Sequence, residues 1–161
     1  MNAPIKKTIA REFTFKFLYH FFIKENQETL NELIESGARS ALLDEEIESF
    51  KSSFAEEDSE HPDNKVDDKM LFYARVLIVN TLKNWHETET KIEENLKGWT
   101  LSKLDKVDHC VLITIASELL YTKDLAPQII INEGINMAKK FGSKDSSSFI
   151  NGVLDAMAKK L

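Results

Sequence analysis

The sequence predicts an all-α fold, and three observations support this prediction. Apolar residues recur three and four positions apart along most of the 161 residues, which is the spacing of one helix face. Five glycines and three prolines are too few for a turn-rich β-sandwich or barrel. The one segment with strand-like alternation has no second strand elsewhere to pair with. The length suits one sizeable core, so we expect residues 1–161 to form a single helical domain.

The first predicted helix covers residues 5–23. Aromatic and polar residues alternate over 13–21, which is also a strand pattern. On a helix, however, Glu12, Lys16 and His20 form one narrow polar stripe with apolar side chains around most of the remaining surface. This arrangement predicts a central helix that packs on several sides.

The next two helices are shorter. Thr29 and Glu32 form a capping box, in which each side chain accepts a hydrogen bond from a backbone N–H group at the helix start. Gly37 is expected to end this helix. Residues 44–55 carry apolar side chains at i, i+3 and i+7, so we expect a helix there. The acidic stretch 56–66 lacks aliphatic anchors and is expected to be a mobile connection without a core role.

Two further helices follow this connection. Apolar residues from Leu71 to Trp85 predict one long amphipathic helix. Ile92 and Leu96 predict a second helix that Gly98 ends.

The C-terminal third carries the clearest helix boundaries. Asp105 is expected to cap one helix, and Pro127 to open another that Gly142 closes. The last helix should begin at Asp145 or Ser146. These boundaries predict three consecutive helices.

The dipeptide Asn151-Gly152 is typical of a hairpin turn, but apolar residues keep helical spacing across it. We therefore expect Gly152 to lie inside the last helix and to permit the close approach of a neighbouring helix.

The net charge of −6 is unevenly distributed. Residues 1–24 carry five basic and one acidic side chain, whereas residues 25–68 carry three basic and fifteen acidic ones. A basic N-terminal segment can bind a polyanion, because salt screens the acidic groups that lie more than roughly 8 Å away from it. The alternative is an ordinary solvated face.

Several features bear on location. The chain has no apolar run of membrane-spanning length, and its N-terminus lacks the apolar core of a signal peptide. Its single cysteine excludes an intramolecular disulfide. We therefore expect a cytoplasmic protein without a membrane role.

The residues show no recognisable catalytic or metal-binding constellation. The four histidines are scattered, without metal-ligand spacing. Successive helical side chains diverge by about 100°, so His109 is badly placed to activate Cys110, and a buried structural cysteine is expected. Glu118 and Glu133, in apolar stretches, suit an interaction role better than acid–base chemistry. We expect no enzymatic activity, no catalytic residues, no metal and no cofactor.

Two segments are candidates for binding a polyanion. Lys6, Lys7 and Arg11 precede Phe13 and Phe15, and basic residues beside aromatic ones suit phosphate contact with base stacking.

The second candidate is residues 142–148, where Lys144, Ser146 and free helix N–H groups can hold a phosphate that Asp145 would repel. The alternative for this segment is a capped helix start.

Four parts of the chain also match a known protein pattern. They are Ala10-Arg11-Glu12 with Leu18-Tyr19, residues 104–119, residues 127–142, and residues 146–155, which end in Asn-Gly-Val-Leu-Asp. On these residues the chain resembles the NusB family of bacterial transcription antitermination factors. The resemblance covers the whole chain except roughly 37–68.

This resemblance implies an all-α protein of two small helical bundles forming one compact unit, without enzymatic activity. It also implies binding of the boxA element of nascent RNA together with NusE, a small-subunit ribosomal protein. Within the RNA polymerase antitermination complex, this binding promotes read-through in ribosomal RNA operons. The alternative is a NusB-like module that binds only protein.

The resemblance assigns roles to individual residues. Those on the RNA-binding side would be Lys6, Lys7, Arg11, Lys144 and Ser146, and those facing NusE would be Tyr19, Asp108 and Glu118. The family often has an arginine-rich run where this chain has Lys6-Lys7-Thr8-Ile9. Lysine lacks the planar bidentate phosphate contact of arginine, so RNA affinity is expected to depend on the partner.

Overall fold

The computed structural model describes residues 7–22, 24–36, 41–57 and 67–161. Within these ranges there is no β-strand, and the all-α prediction is confirmed. The α-helices are α1 (Lys7–Phe22), α2 (Gln27–Glu35), α3 (Ala41–Glu57), α4 (Asp68–Lys83), α5 (Trp85–Glu93), α6 (Lys106–Tyr121), α7 (Pro127–Phe141) and α8 (Ser146–Ala158). None of these helices is long and apolar enough to cross a membrane.

The chain packs as two compact units, Met1–Leu82 and Lys83–Leu161. The first unit contains α1, α2, α3 and nearly all of α4, and the second contains α5 to α8. That residues 1–161 form a single domain stays a prediction.

The core of the first unit is aromatic and is built around α1. Phe13 and Phe17 are fully buried, and the Phe13 ring lies 5.3 Å from the ring of Phe50 and 5.1 Å from that of Phe54. These are edge-to-face contacts, which the positive edge and negative face of aromatic rings favour. The helix prediction for this segment is confirmed, because α1 buries side chains on several sides.

The predicted start of α2 is wrong by about one turn. The helix begins at Gln27 after a short 3-10 helix, so Thr29 lies inside it rather than at its cap. Asn26 is the N-cap residue, and its side-chain amide donates to the His20 carbonyl at 3.0 Å. This bond ties the start of α2 to the last turn of α1, and Gly37 lies outside the described residues.

Helix α3 confirms and extends the predicted 44–55 segment, because it runs from Ala41 to Glu57. The predicted mobile connection falls largely on residues 58–66, which lie outside the described residues.

The predicted 71–85 helix is interrupted before its end. Helix α4 ends at Lys83, and the buried Trp85 begins α5. A one-residue break hardly changes apolar spacing, so periodicity alone does not reveal it.

The end of α5 also differs from the prediction. This helix ends at Glu93, and Leu96 is buried from the following turn rather than from the helix. Lys97 and Gly98 then both adopt left-handed backbone conformations, with φ of 46° and 94°. Glycine reaches this region without steric cost, and the turn reverses the chain before Trp99.

The second unit is organised around α6, in which every residue from Cys110 to Leu119 is buried. The Asp105 side chain accepts a hydrogen bond from the Val107 N–H at 2.8 Å, which confirms the predicted cap. The predicted boundaries Pro127, Gly142 and Ser146 are confirmed as well.

The two helical glycines of this unit have different surroundings. A Cβ atom at Gly134 would lie 3.0 Å from Ile115 Cγ2 and 3.0 Å from Leu154 Cδ1. A Cβ atom at Gly152 would have no neighbour within 4 Å. The close helix approach predicted at Gly152 is therefore wrong, and Gly134 is where a small residue permits α6, α7 and α8 to pack.

This difference predicts opposite effects of similar substitutions. Gly134→Val should lower the free energy of unfolding by about 1–3 kcal/mol, because the added methyl groups overfill a close-packed site. Gly152→Ala should raise it by about 0.5–1 kcal/mol, because alanine is the better helix former. Urea unfolding of both variants measures the two values, and equal stability of the two would contradict this account.

Candidate functional site

Two of the cations of α1 lie beside an aromatic ring that sequence reasoning did not single out. Lys7 is half-buried, and its Nζ lies 5.2 Å from the centroid of the Tyr73 ring on α4. Arg11 also approaches this ring, with Cζ 6.0 Å from the centroid. Such cation–π contacts hold the two basic side chains against α4.

Of the two N-terminal RNA-binding candidates that the structure describes, only Lys7 is placed to meet a ligand. Arg11 is 2% exposed, so a direct contact between its guanidinium and RNA is not supported. Burial of this cation among protein groups makes it part of the α1 packing. Lys6 lies outside the described residues, which leaves Lys7 as the candidate.

In the turn between α7 and α8, Ser143 and Ser146 hydrogen-bond to each other. The Ser143 N–H donates to Ser146 Oγ at 2.9 Å, and the two hydroxyl oxygens lie 3.1 Å apart. Ser146 is 2% exposed, so its predicted contact with RNA is not supported. Lys144 and Asp145 are exposed, and Lys144 is the group of this turn that can reach a phosphate.

Tyr19, a predicted partner-binding residue, is half-buried on α1. Its ring stacks on Phe15, with centroids 5.8 Å apart and planes 28° from parallel. Phe15 is buried, so it fixes the Tyr19 ring while part of that ring meets solvent. This placement gives Tyr19 both a packing contact and accessible surface.

The two acidic partner-binding candidates differ in accessibility. Asp108 is half-buried in the first turn of α6, and within the described part of the chain no group donates a hydrogen bond to its buried Oδ1. Glu118 is 1% exposed, so its predicted contact with a partner is not supported. It lies in the central segment of α6, where every residue from Cys110 to Leu119 is buried.

The neighbourhood of Cys110 offers no activated nucleophile. Its thiol is buried, and burial raises its pKa far above the ordinary value. The His109 imidazole instead approaches α5, with Nε2 3.8 Å from Glu89 Oε1. Within the described residues, no cluster of His, Cys, Asp and Glu side chains has the arrangement of a metal site.

A groove in the second unit was missed by sequence reasoning. It has a volume of about 300 Å³ and lies between the turn after α5 and the exposed side of α8. The rings of Trp99 and Phe149 line it, together with Lys97, Ser148 and Gly152. Two sequence signals were present: a tryptophan outside any helical stripe, and a glycine in mid-helix.

Comparison with known proteins places the chain in a family. The sequence model of the NusB family matches residues 8–159. The chain belongs to the NusB family. The transcription antitermination protein NusB of Clostridium tetani is 34% identical over 161 residues, which cover 98% of this chain and all of that protein. The Geotalea daltonii protein of the same name is 36% identical over 131 residues, 77% of this chain and 90% of that protein.

Solved NusB structures share the fold. Thermotoga maritima NusB aligns with a TM-score of 0.72 at 26% identity, covering 99% of this chain and 94% of that one. A crystal structure of the antitermination factors NusB and NusE in complex with double-stranded RNA aligns with a TM-score of 0.68 at 20% identity, covering 96% of each chain. The all-α NusB architecture is thus confirmed for this chain.

The Glu89–His109 contact makes the stability of this NusB-family chain depend on pH. Burial raises the pKa of Glu89, but the neighbouring His109 and Trp85 groups lower it more, so the net value lies below the ordinary 4.5. A carboxylate with a lowered folded-state pKa stabilises the fold above pH 4.5 and loses this contribution as the pH falls through the folded value.

Glu89→Gln should therefore reduce stability at pH 6 and flatten its decline below pH 4.5. Urea midpoints measured from pH 6 to pH 3 give this dependence. The control is Glu48→Gln, at an exposed glutamate of α3. Parallel pH profiles for wild type and Glu89→Gln would show that the contact does not stabilise the fold.

Proposed function

We propose that this chain is a transcription antitermination factor that binds boxA-type nascent RNA together with NusE. It acts without enzymatic activity, within the RNA polymerase antitermination complex in the cytoplasm, and promotes read-through in ribosomal RNA operons. The observation that carries this proposal is the family match over residues 8–159.

Two further comparisons support the proposal. The curated relatives carry the name of transcription antitermination proteins, and the chain aligns with one of them along its whole length. A NusB of the same fold was crystallised with NusE and double-stranded RNA.

Lys7 and Lys144 are the described residues that we assign to RNA. Both are lysines on accessible parts of helical termini, Lys7 at the start of α1 and Lys144 just before α8. An ammonium group contacts a phosphate as a point charge rather than through two parallel hydrogen bonds. Binding of RNA by this chain alone is therefore weak, and NusE strengthens it.

Tyr19 and Asp108 are the residues that we assign to NusE. Tyr19 presents an amphipathic ring that Phe15 already holds in place, so binding costs little side-chain entropy. Asp108 is only partly buried in the first turn of α6, so the residue keeps accessible surface that can pair with a basic group of the partner.

A gel shift with boxA-type RNA, with and without NusE, tests the function. We expect a weak shift with the chain alone and a strong one when NusE is added. If NusE binds but RNA does not change the complex, the protein-only module is the correct function instead.

Removing the charge of Lys7 tests the RNA surface. Lys7→Ala should weaken RNA binding and reduce the slope of log affinity against log salt by about 0.7, the value for one phosphate contact on a single strand. The control is Lys83→Ala, which removes an exposed lysine ten residues beyond Tyr73 on α4, about 15 Å along the helix. Fluorescence anisotropy in a salt titration measures both slopes. An unchanged slope for Lys7→Ala would remove this residue from the RNA surface.

A further inference from the structure

The packing of the second unit does not explain why residue 152 of α8 is a glycine. It lies in the interior of α8, where glycine is a poor helix former, and open space surrounds the position of its missing Cβ. Any larger side chain there would project into the groove beside it. Glycine at position 152 therefore keeps the groove open.

The opposite wall of the groove is a hydrogen-bonded turn that carries the exposed ring of Trp99. Trp99 is 56% exposed, although a tryptophan normally buries its large apolar surface. The turn that presents it is fixed by Asn95, whose amide donates to the Lys91 carbonyl at 2.8 Å and accepts from Lys160 Nζ at 2.8 Å. Lys97 and Gly98 complete the turn in left-handed conformations. The backbone that carries the indole is thus held in place before any ligand arrives.

The groove is apolar at its base and positive at its edge. Leu96 and Val153 are buried beneath it, and Phe149 supplies a second, half-buried aromatic ring. Of the residues that line it, Lys97 alone is charged. A volume of about 300 Å³ is at the lower end of the roughly 300–1,000 Å³ of small-molecule sites, so it suits one flat ring system.

We propose that this groove takes one unpaired base of single-stranded RNA, stacked on Trp99, with Lys97 beside the adjoining phosphate. Aromatic rings stack on any base, and a cation at the edge complements the negative backbone. The exposed Ser148 hydroxyl offers a hydrogen bond to the edge of the base. This inference rests on the proposed function, since it names how part of the RNA is held.

The test uses the full chain with a dye-labelled single-stranded boxA-type RNA, with NusE present. Binding should quench the fluorescence of Trp99, and this quenching should be absent from Trp99→Ala, in which the buried Trp85 is the remaining tryptophan of the chain. Trp99→Ala should weaken RNA binding roughly 5- to 100-fold. Gly152→Leu should fill the groove, abolish the quenching and weaken RNA binding to a similar degree.

Asn151→Leu is the matched control, because it adds the same side chain at an exposed neighbour that points about 100° away. It should bind RNA like the wild type. Thermal unfolding of each variant checks the fold, and Gly152→Ala provides a smaller obstruction in the same open space.

The outcomes separate this inference from the proposed function. Wild-type RNA affinity in both Trp99→Ala and Gly152→Leu would overturn the groove site and leave RNA binding by the chain intact. Quenching by NusE in the absence of RNA, without further change when RNA is added, would overturn it in favour of a protein occupant. Absence of RNA binding by the wild type, with or without NusE, would overturn both proposals.

Discussion

Phe13→Ala should destabilise the first unit by about 3–5 kcal/mol, the usual cost of truncating a buried phenylalanine. The Phe13 side chain is fully buried and contacts the rings of Phe50 and Phe54 edge-to-face. Truncation removes the buried area of the Phe13 ring and its contacts with the two other rings. It also leaves a cavity between α1 and α3. Stability of a domain is of the same order, about 5–15 kcal/mol, so a large part would be lost.

Phe72→Ala is the control for this prediction. Phe72 is 69% exposed on α4, so the same change should alter stability by no more than about 0.5 kcal/mol. Urea unfolding followed by far-ultraviolet circular dichroism measures both variants. A similar loss for both would mean that the aromatic cluster of α1 and α3 does not stabilise the unit.

Asp108→Lys should reduce NusE affinity by about 2–5 kcal/mol, if this carboxylate pairs with a basic group of the partner as we propose. The same reversal in the first turn of α6 opposes the helix dipole, which should cost only about 0.3–1 kcal/mol of stability. The loss of affinity would then clearly exceed the loss in folding. Calorimetric titration with NusE and thermal unfolding of the same preparation measure the two effects.

Two variants make this result interpretable. Asp124→Lys carries the same charge reversal at an exposed loop position and should bind NusE like the wild type. Asp108→Asn keeps the shape of the side chain but removes the charge, and it should fold at least as well because Oδ1 has no donor among the described residues. Full NusE affinity in Asp108→Asn and Asp108→Lys would exclude Asp108 from the interface.

The proposed surfaces could be predicted from the sequence only in part. Lys7, Lys144, Tyr19 and Asp108 were proposed from residue type and resemblance, and each is at least partly accessible. Arg11 carries the same signals but is buried, because its guanidinium lies against the Tyr73 ring. A one-dimensional pattern cannot distinguish a cation that faces solvent from one that packs beneath a neighbouring helix.

The sequence by itself determined the helical class, most helix positions and the cap at Asp105. These features depend on interactions within a few residues, such as the hydrogen bond from the Val107 N–H to Asp105 and the start of α7 at Pro127. Helix caps and apolar periodicity depend only on the order of nearby residues along the chain.

Only the tertiary structure decided which glycine is needed for packing and which one leaves a groove open. Gly134 and Gly152 both lie inside helices, yet Ile115 and Leu154 crowd the first while the second faces open space. The break at Asn84 left no signal in the apolar spacing, and the groove beside Trp99 left only two indirect ones. The surroundings of the two glycines and the groove depend on atoms brought together from distant parts of the chain, and their separation is set by how whole helices pack rather than by any local pattern.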